Sequence, residues 1–267
     1  MLKTLRSLFG PGSGGPTPAI PAGNRVYAVG DVHGCLALFN LLIAAIEADD
    51  AARKGADTTI VLLGDLIDRG PDSAGVVVAA RALAARRKVR LLMGNHEEMM
   101  LDALQSTEVL KHFLRYGGRE TVLSYLADPA AYHLAEIDAA QALFRAAVPP
   151  EHLAFLQAME DQIAIGDYLF VHAGVRPEVL LDQQRVADLR WIREPFLSHR
   201  NSFGPVVVHG HTITDKPEVR PNRIGIDTGA YRTGRLTALG LEGTARWLIE
   251  AVTDEQGAVS AASRTLA

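Results

Sequence analysis

Short apolar runs rich in β-branched residues alternate with longer helical patterns over the first part of the chain. RVYAV (25–29), TTIVLL (58–63) and VRLLM (89–93) read as interior strands, since unbroken apolar runs of this length suit strands covered on both faces. Between the first two, LALFNLLIAAIEA (36–48) carries the dense apolar face of a helix packed on a sheet, within an expected helix over 35–49. A second helix is expected over 73–86. Helical patterning then dominates to residue 160, broken at Gly117-Gly118 and Pro149-Pro150, and reads as a small helical insert over about 98–160. Strands follow at 161–165, 168–172, 205–209, 223–227, 235–241 and 244–252. The order is βαβαβ followed by strands almost alone. It implies an α/β fold with two packed sheets flanked by helices rather than one parallel sheet.

The strand ends repeat one signature. VLLGDLIDRGPDS (61–73) places Asp65 directly behind a strand and Asp68 and Arg69 just beyond it. Alone, this would be a loop with a helix cap, with Asp68 or Asp72 capping the helix near Ser73. The pattern recurs, however. RVYAVGDVHG (25–34) ends in Asp31 and His33, VRLLMGNHEE (89–98) in Asn95, His96 and Glu97, YLFVHAG (168–174) in His172, and PVVVHGHT (205–212) in His209 and His211. Open α/β folds bind ligands at the rim where strands end.

Composition narrows the chemistry. The chain has 267 residues, 48% hydrophobic, with a formal charge of −4. One large domain is expected over 24–252, between a disordered N-terminal tail (1–23) and a C-terminal tail (253–267). Without a basic block, nucleic-acid binding has no electrostatic support. Leu2, Leu5, Leu8 and Phe9 have helix-like spacing, but the run is too short for a secretory signal. A weak surface-binding helix or a disordered tail remain as readings of it, with no stable membrane insertion. A lone cysteine, Cys35, fits a reducing cytoplasm.

Carboxylate, imidazole and amide oxygen converging on one rim make a divalent-metal site. The set is too large for one catalytic ion and suits two ions sharing a carboxylate, roughly 3.5–4 Å apart. Asp65, on the middle of the three leading strands, is the best bridge. Arg69 would add a two-pronged partner for phosphate.

Taken in order, GDVHG (30–34), GDLIDRG (64–70), GNHE (94–97), HAG (172–174) and GHT (210–212) resemble the signature of the calcineurin-like metallophosphoesterases. More narrowly, they resemble the PPP-type serine/threonine protein phosphatases of bacteria and phage. The resemblance covers about residues 25–240 and implies a four-layer α/β/β/α sandwich. It also implies that Asp31, His33 and Asp65 bind one metal, and that Asp65, Asn95, His172 and His211 bind a second. His96 would be the general acid, oriented by Asp68, with Arg69 and Arg193 gripping phosphate. A bridging hydroxide would hydrolyse phosphoserine and phosphothreonine monoesters in phosphoproteins or phosphopeptides. Manganese suits the mixed nitrogen and oxygen ligands, with iron or zinc as alternatives. One departure is Met93, where many members carry arginine. The rivals are a symmetrical dinucleoside tetraphosphate hydrolase, disfavoured by Asp68 and Glu97, and a catalytically weak binding module. The resemblance selects His211 over His209, which would point to the same side of a strand. His112, His133, His152 and His199 read as exposed and without a role.

Overall fold

A computed structural model describes residues 17–53 and 55–266. The expected surface helix near the start, and residues 1–16 of the expected tail, lie outside the described residues. The elements in order are β1 (Asn24–Val29), α1 (Leu36–Arg53), β2 (Asp57–Leu62), α2 (Ser73–Arg86) and β3 (Val89–Leu91). A helical stretch follows: α3 (Asn95–Ala103), α4 (Thr107–Phe113), α5 (Arg119–Tyr125), α6 (Pro129–His133), α7 (Ile137–Ala147) and α8 (Pro150–Gln157). Then come β4 (Gln162–Ile165), β5 (Tyr168–Val171), α9 (Val186–Trp191), β6 (Val206–His209), β7 (Glu218–Val219) and β8 (Arg223–Gly225). The chain closes with α10 (Ala230–Thr233), β9 (Arg235–Glu242), β10 (Ala245–Thr253) and β11 (Val259–Thr265).

The strands form a six-stranded sheet, β11-β10-β9-β1-β2-β3, and a five-stranded sheet, β4-β5-β6-β8-β7. Their period-two side-chain alternation builds the layers. From β1, Val26 and Ala28 face the second sheet, where Tyr168, Phe170, Val206 and Val208 meet them. Tyr27 and Val29 face the other way, onto Leu38, Leu42 and Ile46 of α1. Behind the second sheet, Leu169, Val171 and Val207 pack on Leu189, Ile192 and Phe196. The result is a four-layer α/β/β/α sandwich.

Two registers position the site. In the first sheet, β1, β2 and β3 run parallel, with Val29 opposite Leu62 and Leu62 opposite Leu91. In the second, β5, β6 and β8 run parallel, with Phe170 opposite Val208 and His209 opposite Gly225. Each parallel set therefore ends at one rim.

The ends of the chain differ from expectation. Residues 17–23 are docked rather than a free tail: Ile20 is buried between the sheets, and Ala19 N donates to Asp167 Oδ2 at 2.9 Å. The expected C-terminal tail, 253–267, instead turns at Asp254–Gly257 and returns as β11, paired antiparallel to β10. Every residue of β11 is exposed, so no apolar alternation marks it in the sequence. No strand or helix is expected between 173 and 204, yet α9 forms there.

Candidate metal centre

The rim loops hold their side chains in unusual backbone. His33, Asp65, Asp68, Arg69 and His211 all have positive φ, between 45° and 73°. Such backbone is uncommon outside glycine and persists where surrounding bonds over-determine it. Glu97 supplies much of that constraint. Its buried carboxylate accepts the backbone N–H of Asp65 (2.8 Å), Leu66 (2.7 Å), Ile67 (3.3 Å) and Gly94 (3.1 Å). The glycines beside the polar residues are there for close approach. A Cβ at Gly94 would lie 2.2 Å from Asp65 Oδ1, and one at Gly210 would lie 2.0 Å from Asp31 Oδ1.

Asp31, His33, Asp65, Asp68, Asn95, His96, His172 and His211 are all buried and converge on one place. Asp65 Oδ2 lies 3.6 Å from His33 Nε2, 3.5 Å from His172 Nε2 and 3.9 Å from His96 Nε2. Asn95 Oδ1 lies 3.0 Å from His172 Nε2 and 2.8 Å from His211 Nδ1. Asp31 Oδ2 accepts the backbone N–H of His211 at 2.9 Å. Two groups have ligand atoms within 4.8 Å of one another: His33, Asp65 and His96, and Asp65, His172 and His211. Asp65 belongs to both.

The donor set fits divalent cations on three grounds. First, the tautomers are suitable. Nδ1 of His33 and of His172 each lies 2.8 Å from a backbone carbonyl, of Ile67 and Leu63, which places the proton there and the lone pair on Nε2. The His172 lone pair then confronts Asn95 Oδ1 and Asp65 Oδ2, an array of acceptors with no proton between them. Second, Asp31 Oδ1 and His211 Nε2 are buried with no hydrogen-bond partner among the described residues. Third, the histidines are in the form that binds metal. Burial pushes His33 down to about 3 and, with His172, His211 down to about 2. Neutral imidazole is the metal-binding form.

Asp227 escapes the sequence reading of the site. It is buried at the end of β8, accepts Gly229 N at 2.9 Å, and interacts with Asp31. Burial, Asp227 and Asp65 together push Asp31 well above the usual carboxylate range, an accumulation of negative charge that a cation would offset. The available signal was a sixth strand ending in aspartate, RIGID (223–227).

His96 and Arg69 occupy the outer side of the cluster. His96 Nδ1 lies 2.5 Å from Asp68 Oδ2. Arg69 donates to His33 Nε2 at 3.1 Å and to His96 Nε2 at 2.9 Å. Its guanidinium also stands over the ring of Tyr231, 4.9 Å from the centroid, and that ring meets His33 edge-on. Asp72, not Asp68, caps α2, accepting Gly75 N at 2.8 Å. Arg193 is exposed and has no side-chain partner among the described residues, yet it lies near enough to depress His211 electrostatically. Arg90 is paired with Glu160, and Arg190 with Glu98 and Asp161. Neither is free to replace the arginine missing at Met93, which is itself buried.

Three histidine expectations need correction, His199 being half-buried beside the ring of Phe203 where exposure was expected. His209 and His211 do not share a side, because β6 ends at His209 and the chain turns through His211 at φ 61°. His209 instead packs on Phe196, with Nδ1 3.0 Å from Gly210 O. His152 is buried in the helical stretch, with Nδ1 3.0 Å from the Tyr125 hydroxyl, rather than exposed.

Residues 24–236 match the family model described as calcineurin-like phosphoesterase. The chain is 30% identical over 218 residues to serine/threonine-protein phosphatase 1 of Salmonella typhimurium, covering 80% of this chain and 90% of that one. It is 26% identical over 264 residues to the symmetrical bis(5'-nucleosyl)-tetraphosphatase of Chromohalobacter salexigens, covering 80% and 94%. Among solved structures, the cold-active protein-tyrosine phosphatase of a Shewanella species superposes with a TM-score of 0.53 at 18% identity, over 92% of this chain and 82% of that one. At that identity the likeness concerns the fold alone.

Proposed function

The chain belongs to the calcineurin-like phosphoesterase family, and from that premise we propose that it is a phosphoprotein phosphatase acting on phosphoserine and phosphothreonine. Asp31, His33 and Asp65 would hold one divalent ion, and Asp65, Asn95, His172 and His211 a second, with manganese suited to the mixed ligands. When bound, such a pair acidifies water for attack on phosphorus and neutralises charge on the phosphate oxygens.

The observation that carries the substrate reading is the 2.5 Å contact between His96 Nδ1 and Asp68 Oδ2. A serine alkoxide is a strongly basic leaving group and needs a proton as the ester bond breaks. A nucleotide leaving through its phosphate does not. Asp68 holds the imidazole proton on Nδ1 and raises the basicity of Nε2. Arg69 donates into that Nε2 in this arrangement. Once Arg69 turns to a phosphate, Nε2 is released to carry the proton to the leaving oxygen. The exposed guanidinium of Arg193 would meet the phosphate from the other side. No helix among the described residues is long and apolar enough to cross a membrane. A free cysteine suits the reducing cytoplasm, where phosphoprotein substrates would be met.

A substrate panel tests this: kcat/KM for phosphoserine, phosphothreonine and phosphotyrosine peptides and for diadenosine tetraphosphate, with manganese. The two hydroxyl-ester peptides are expected to lead. A preference for diadenosine tetraphosphate would replace the reading with that of a symmetrical tetraphosphatase. No turnover of any of them would leave a binding module.

The arginines give a second expected result. Arg69→Ala should cost about 10²-fold in kcat and also raise KM, because its donors meet oxygens on which charge builds in the transition state. Arg193→Ala should do the same more weakly, since exposure screens it. Unchanged steady-state kinetics in Arg193→Ala would remove that residue from the site.

A further inference from the structure

The helical stretch between β3 and β4 reaches back to the acid through one side chain. Thr121, on α5, is fully buried and 53 residues from Asp68 in sequence. Its hydroxyl oxygen lies 2.5 Å from Asp68 Oδ1 and 2.9 Å from Asp68 N. Ser73 Oγ completes the cluster, 2.9 Å from both Thr121 Oγ1 and Asp68 N. Each hydroxyl has one proton and two lone pairs. The consistent assignment has Ser73 donating to Thr121, Thr121 donating to Asp68 Oδ1, and Asp68 N–H shared between the two oxygens. Asp68 Oδ1 is thereby held, and Oδ2 is left to His96.

The same stretch grips the next residue. Arg69 N donates to Gly117 O at 2.9 Å, in the turn between α4 and α5. Gly117 has φ 106°, and a Cβ there would lie 2.5 Å from Arg69 Cγ. Asp68 and Arg69 are consecutive residues at φ 73° and 69°. Such a pair persists only with external bonds, and Gly117 and Thr121 supply them.

We propose that Thr121 is a positioning residue for the reaction, fixing Asp68 and through it the direction in which His96 delivers its proton. This rests on the reading of His96 as the acid given above. It makes the helical stretch part of the catalytic frame and not a cover alone.

The test compares kcat on a phosphoserine peptide and on p-nitrophenyl phosphate, with metal-replete protein. Thr121→Val keeps the shape and removes the donor. It should lose about tenfold on the peptide, less than the roughly 10²–10⁴-fold that acid catalysis supplies in full because the acid itself remains, and clearly less on the nitrophenyl ester, whose leaving group needs no proton. Thr121→Ser should restore both values to near wild type. Adding Thr121→Val to Asp68→Asn should cost nothing further on the peptide, because the two act through one bond. Should the valine variant fail to fold, Thr121→Ala carries the same comparison. Equal losses on the two substrates, no loss, or full additivity with Asp68→Asn would overturn the proposal. If His96→Asn shows the asymmetry and Thr121→Val does not, only the role of Thr121 falls. If His96→Asn shows none, the reading of the acid falls with it.

Discussion

Replacing His96 by asparagine should lower kcat on a phosphoserine peptide by about 10²–10⁴-fold while leaving metal content unchanged. The ring is held on both sides, by Asp68 at Nδ1 and by Arg69 at Nε2. Burial disfavours the charged ring, but Asp65 and Asp68 outweigh it and raise its affinity for a proton above the ordinary value. On the function proposed above, a ring so placed would give a proton to the leaving oxygen. The loss on p-nitrophenyl phosphate should therefore be smaller, since nitrophenolate leaves without help. The alternative is written in the same geometry, because His96 Nε2 also groups with His33 and Asp65 within ligand distance. Elemental analysis of the variant separates the two. Loss of an ion, or equal losses on both substrates, would make His96 a ligand or a phosphate contact instead of the acid.

Asp65→Asn should remove metal and activity together, lowering turnover by at least about 10²-fold, the upper range seen even for indirect disturbance of a metal site. Asp65 Oδ2 faces three imidazoles at 3.5–3.9 Å, and its charge is the one shared by both ligand groups. Asparagine keeps the size and tolerates the backbone at φ 49°, so the loop should survive. The circular dichroism spectrum and melting temperature of the metal-free variant should match the metal-free wild type. Two ions retained at wild-type affinity would remove Asp65 from its bridging place.

The positions of these residues were legible because a parallel sheet converts sequence position into place. Where β1, β2 and β3 stop in register, whatever follows Val29, Leu62 and Leu91 must meet at the rim. Glycine beside each polar residue told of close backbone approach, and Gly94 and Gly210 meet aspartates in that way. Side-chain direction was less legible. Glu97 looked like a feature of substrate choice, but its carboxylate is spent on four backbone N–H groups and faces inward. His209 and His211 diverge because a strand ended between them, which the alternation rule alone does not reveal. Thr121 carried no signal: a threonine within a helical run has many ordinary uses, and its partner is 53 residues away. β11 was hidden because its small exposed residues show no two-residue apolar period.

The measurement that bears most directly on the central claim is metal stoichiometry. Metal-stripped protein titrated with manganese, with bound metal and p-nitrophenyl phosphate turnover followed together, should take up two ions per chain. Activity should reach its plateau only as the second ion binds, because Asp65 groups with His172 and His211 on one side and with His33 on the other, where Asp31 would add a further oxygen. Saturation at a single ion with full activity, or full activity in the stripped protein, would contradict a shared two-ion centre at this rim.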